Sequence, residues 1–155
     1  MADLMNHALV RAIEEMPKVE LHVHLEGSIP AATIEQLAQK NGVALAPGRS
    51  NPALKFGRLM NFLEAYRLRC KCLTCREDFA IATTAVLKNL RDQRVRYAEV
   101  TIAPTMHRLN GVPMKEVMAG VDLAVKQVCA RGEFEVGFIF DVGRQFGVEH
   151  AWQTL

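Results

Sequence analysis

No apolar run in this 155-residue chain approaches the ~20 residues needed to span a bilayer, although 50% of its residues are hydrophobic. A membrane is therefore not an expected partner. Excess charge is missing too. The formal net charge is +2, and the basic residues are scattered rather than gathered on one face, so no nucleic-acid footprint is expected. The opening Met-Ala-Asp-Leu has neither a basic nor an apolar leader region, and a cytoplasmic protein is the expectation. Internal repeats and low-complexity segments are absent. Cysteine is scarce, with four in all. Cys70, Cys72 and Cys75 form C-x-C-x-x-C, but they fall in a helical pattern in which three thiolates would not converge, so ordinary reduced thiols are expected. Cys129 has no partner nearby in sequence.

What is present is enough apolar residue for one domain with a sizeable core. The stretch Pro17-Lys18-Val19-Glu20-Leu21-His22-Val23-His24-Leu25-Glu26-Gly27-Ser28 organises it. As a strand it alternates: Val19, Leu21, Val23 and Leu25 on one face, Glu20, His22, His24 and Glu26 on the other. Histidines two apart on one strand face can lean onto one metal ion, with Zn–N near ~2.0–2.1 Å. A polar strand face touching water is the plain alternative. Glu-Gly-Ser at the strand's end lies where a parallel barrel would carry its active site.

Helical spacing continues on both sides. Leu9, Val10, Ile13 and Met16 predict a helix over 6–16, ended by Pro17. A second helix is expected from Ser28 to about Asn41, with Gly42 as its stop, and 43–52 reads as a loop. Helices are predicted over 56–74, 77–91 and 114–131. Strands are predicted over 95–103 and 134–142, with a loop at 105–113 and a last helix from Val148. The second and third strands are nearly continuously apolar, as in strands covered on both faces. Strands separated by helices imply a parallel α/β sheet.

The Pro17–Ser28 string resembles the opening strand of the adenosine deaminase family, metal-dependent purine deaminases of the amidohydrolase group. Tyr97-Ala98-Glu99-Val100 followed by Pro104 looks like that family's second strand, and Leu59 to Tyr66 looks like its active-site roof helix. The likeness covers essentially all of this chain and the first half of the family pattern. It implies the N-terminal part of a TIM (β/α)8 barrel, incomplete over residues 1–155. It also implies zinc-dependent hydrolytic deamination of a purine nucleoside or base, with ammonia released. By resemblance His22 and His24 are metal ligands. Glu26 matches a ribose-contacting position that is often Asp. Leu59, Phe62, Leu63 and Tyr66 match the apolar cover over the purine, with plain helix packing as the alternative. Phe140-Asp141-Val142-Gly143-Arg144-Gln145-Phe146-Gly147 looks similar to deaminases acting on larger nucleosides such as aminodeoxyfutalosine. There Arg144 would suit a carboxylate or phosphate, or serve as a surface ion-pair partner.

The family's third metal-binding His, its His-x-x-Glu proton shuttle and its late Asp pair are not found. His7, His107 and His150 do not supply them. No catalytic residue proper is therefore expected within 1–155, and the chain alone is expected to be inactive. The open barrel edge is expected to self-associate or to take a completing polypeptide. A non-catalytic half-barrel that binds or oligomerises is the alternative. An amidohydrolase acting on cyclic amides fits the flanks of the two histidines less well.

Overall fold

The computed structural model describes residues 2–45 and 59–153. Helix α1 (Ala2–Glu15) leads into strand β1 (Lys18–His24), a single turn α2 (Leu25–Ser28) and helix α3 (Ala31–Lys40). Helices α4 (Leu59–Lys71) and α5 (Arg76–Asp92) precede strand β2 (Val95–Ile102), the short α6 (Pro104–Leu109) and α7 (Met114–Val128). Strand β3 (Glu135–Phe140), a 3-10 turn (Arg144–Phe146) and α8 (Val148–Trp152) follow. The strands form one parallel sheet in the order β1-β2-β3. This is the expected partial barrel.

The core lies between one face of the sheet and the helices. Val23, Val100 and Ile102 meet Leu37, Phe79, Leu87, Val117 and Val121 in one continuous cluster. Helices α5 and α7 touch backbone to backbone at Gly120. A Cβ there would lie 2.6 Å from Phe79 Cβ and 2.9 Å from the Ala80 nitrogen, and would also meet the Arg76 carbonyl oxygen. At the floor of the sheet, Lys18 Nζ donates to the carbonyls of Met16 and Gln93 at 3.0 Å, and of Glu14 at 3.3 Å. One ammonium thus satisfies the end of α1 and the turn before β2, groups with no partner inside a helix.

Several expectations are corrected. The first strand ends at His24, and Leu25 and Glu26 belong to α2. The next helix does not run unbroken from Ser28: Pro30 precedes its first turn, because proline fits a helix start and not its interior. Residues 105–113 are not all loop, since Pro104 opens α6 at the first helical position. The expected loop beyond residue 45 and the expected helix start at 56–58 lie outside the described residues. Of the apolar face of β1, Val23 and Leu25 are buried, while Val19 and Leu21 stand 60% and 58% exposed. The ladder to β2 also slips between Glu20 and Val23, so strict alternation is interrupted. Ile139 and Phe140 of β3 are likewise exposed. The cause is shared: among the described residues β1 and β3 are the two edges of the sheet, and only β2 has a strand on each side. Among the described residues no helix is long and apolar enough to cross a membrane.

Candidate active site

The C-terminal end of β1 brings the two histidines together. His22 Nε2 and His24 Nε2 lie 3.2 Å apart, with ring centroids at 5.2 Å. Two nitrogens on one tetrahedral zinc, each at ~2.0–2.1 Å, are separated by roughly 3.3–3.4 Å. The pair therefore has the spacing of two ligands to one ion, and also of a single N–H···N bond. Among the described residues no group of three His, Cys, Asp or Glu side chains assembles around a common point. The donor set fits a metal and is short of the three protein ligands usual in catalytic zinc sites.

Beside His24 opens a cavity of about 240 Å³ at the mouth of the sheet. One wall is α4, which contributes Phe62, Leu63, Tyr66 and Arg67; the floor includes Gly27, Ala103, Thr105 and Met106. The far wall is the segment after β3, with Asp141, Gly143, Gln145 and Phe146. Tyr66 stands edge-on to His24 at 6.3 Å and stacks on Phe62 at 6.4 Å. Phe62, Leu63 and Tyr66 thus all line the cavity. Leu59 is 70% exposed and outside it. Arg144 is exposed and is not among the residues lining the cavity, whereas its neighbours Gln145 and Phe146 are.

Glu26 sits differently from its expected place on the strand face. It is fully buried in α2, behind the cavity wall. Oε1 accepts from the Ala103 N–H at 3.0 Å and pairs with His107 Nε2 at 2.7 Å. Oε2 accepts from the Tyr66 hydroxyl at 2.8 Å. Burial pushes this carboxyl up, but the His107 hydrogen bond, the His107 charge and the Ala103 N–H outweigh it and hold it below its ordinary range. Burial, and then the Glu26 charge, push the Tyr66 phenol far up, so it remains a donor. Arg69, also buried, donates to the Ile29 carbonyl at 3.0 Å and the Glu26 carbonyl at 3.4 Å. The ends of β1 and β2 and the roof helix are thereby tied to one carboxylate.

His107, Asp141 and Gln145 stand at the site without being expected there: the sequence shows His107 only as a histidine outside the metal set, and Asp141 and Gln145 only within the string after the third strand. His107 lies in a segment read as loop, and nothing local marks its link to a carboxylate 81 residues earlier. A buried His on the inner face of α6 would have been visible as amphipathic spacing had Pro104 been read as a helix start. The cysteines contribute no site. Cys70 and Cys72 are buried, and burial pushes both thiols up, Cys72 to about 11, which disfavours the reactive thiolate.

Comparison with known proteins agrees with this architecture. An adenine deaminase of Cupriavidus taiwanensis is 36% identical over 152 residues, covering 96% of this chain and 43% of the relative. The crystal structure of an adenine deaminase from Arthrobacter aurescens superposes with a TM-score of 0.73 at 27% identity, over 88% of this chain and 44% of that one. An amidohydrolase from Burkholderia ambifaria, solved with bound zinc, shares the fold at a TM-score of 0.70 and 22% identity, over 87% and 38% of the two chains. The chain thus spans less than half the length of these relatives. The adenosine deaminase family model matches residues 17–153. That match spans most of the chain, and the chain therefore belongs to the adenosine deaminase family.

Proposed function

We propose that residues 1–155 form the N-terminal part of a (β/α)8 barrel that deaminates a 6-aminopurine by hydrolysis and releases ammonia. The observation that carries this reading is the convergence of His22 and His24 to 3.2 Å beside a cavity of purine scale. In this reading their Nε2 atoms hold a zinc ion. Zinc held there would lower the pKa of a water toward ~7 and so provide a nucleophile at neutral pH. The chain's own part is to position the base. Phe62, Leu63 and Tyr66 cover the purine and exclude water. Glu26 acts by fixing Tyr66 and not by touching a sugar, since it is fully buried and bonded to Tyr66, Ala103 and His107. Leu59 and Arg144 enter only as rim residues.

Adenine is favoured over adenosine or aminodeoxyfutalosine as substrate. The adenine deaminases among the relatives support this. The rest of the metal site and the proton shuttle would come from barrel strands beyond β3. The exposed edges β1 and β3 support docking of a completing polypeptide, or of a second copy in its absence.

Zinc titration by calorimetry tests the metal site. Wild-type chain is expected to bind zinc, and His22→Ala and His24→Ala are each expected to weaken binding by about tenfold or more. Equal binding by wild type and the double variant would sink the proposal. Ammonia release from adenine is expected only after the remaining barrel strands are supplied.

A further inference from the structure

The segment after β3 brings two polar side chains to the cavity. Asp141 and Gln145 both line it, and neither side chain has a hydrogen-bond partner in the protein among the described residues. Other polar groups beside the cavity are committed: the Tyr66 hydroxyl to Glu26, and Arg69 to main-chain carbonyls. The segment is also built for close fit. A Cβ at Gly143 would lie 2.7 Å from the Phe146 ring and 3.2 Å from the Gln145 amide nitrogen. A side chain at 143 would press on the ring and the amide where they fold back beside the cavity. Asp141 is fixed at its backbone, donating its N–H to the Ile102 carbonyl at 2.8 Å.

Position across the sheet assigns these groups a partner. His24 ends β1, and Asp141 follows β3, two inter-strand steps away. At ~4.8 Å per step that is roughly 10 Å, a span that takes the long axis of a purine with a hydrogen bond at one end. If the amine-bearing carbon lies toward His22 and His24, the five-membered ring faces Asp141 and Gln145. A free purine base presents there one ring N–H and, next to it, an acceptor nitrogen. A carboxylate accepts the N–H, and a side-chain amide can accept from one atom and donate to the other. A nucleoside has no N–H at that position and carries a sugar instead.

We propose that Asp141 and Gln145 are specificity-determining residues that read the imidazole edge of a free purine base and reject purines substituted at that nitrogen. The assignment rests on the deaminase reading for the orientation of the base.

The test is a ligand-observed NMR titration of the full chain with adenine and with 9-methyladenine, which lacks only the ring N–H. Wild type is expected to prefer adenine by about tenfold, the scale of one hydrogen bond to a charged group. Gln145→Leu and Asp141→Asn are each expected to bring the two purines within about twofold while still binding both. Both positions are exposed, so folding, checked by circular dichroism, is expected to survive. Should one variant not fold, the ratio in the other decides. Equal binding of the two purines to wild type, or an unchanged ratio in the variants, overturns the assignment and leaves the zinc and ammonia tests standing. Failure of both purines to bind overturns the assignment together with the purine reading.

Discussion

At the scale of single residues, carboxylates buried away from the cavity do the fastening. Asp78 has no exposed side-chain surface, and it accepts from Lys40 Nζ at 2.6 Å, Asn41 Nδ2 at 2.8 Å, and the Thr74 hydroxyl and N–H at 2.9 and 3.0 Å. Burial works against its ionisation, but these donors outweigh burial and bring its pKa down to about 2 from 3.8. A carboxyl depressed on folding adds stability above its unfolded pKa and loses it as pH falls through the folded value. The chain should therefore lose roughly 2 kcal/mol from this group between about pH 5 and pH 1. Asp78→Asn should be less stable at neutral pH and lack that part of the acid dependence. Urea unfolding over a pH series reads both, and parallel curves for the two proteins would refute the account.

The histidines were legible at this scale because two letters of one strand carry their proximity. The Glu26 cluster was not. Its members come from three separate places in the chain, Glu26, Tyr66 and the Ala103–His107 turn, and no local spacing signals that they meet.

Between elements, the tightest packing is that of α5 on α7. Gly120 leaves no room for a methyl group, and the atoms in the way include main chain, which cannot swing aside as a long side chain would. Gly120→Ala should cost about 1–3 kcal/mol even though alanine favours a helix, because overpacking outweighs propensity. Chemical denaturation of the two proteins measures the difference, and equal or greater stability of the variant would mean the helices part freely. The apolar periodicity of α5 and α7 made both helices readable, since Phe79, Val86, Leu87, Val117 and Val121 all face the core. The same reasoning failed on β1 and β3. Alternation identifies a strand's apolar face but says nothing about whether a neighbour covers it, and Val19, Leu21 and Ile139 remain in water.

For the molecule as a whole, the sheet has two unpaired edges and a stripe of exposed apolar residues on α1, including Leu9 and Ile13. Unpaired edges with apolar side chains template further strand pairing. The chain at micromolar concentration should sediment as more than a monomer. Leu21→Lys with Ile139→Lys should shift it toward monomer without loss of secondary structure. A wild-type chain that sediments as a monomer throughout would count against open edges as docking surfaces. The fold class was readable because the order of strands and helices allows few topologies, whereas exposure depends on what lies beside the strands.

The anchoring of the roof has a consequence for how such a chain tolerates change. Tyr66 and Arg69 fasten α4 to Glu26 and Ile29, so its place over the cavity is set from its C-terminal half. The helix is thereby moored at two neighbouring turns, so a change at Tyr66 or Arg69 should unseat everything α4 brings to the cavity, whereas a change at its exposed Leu59 end should leave it seated.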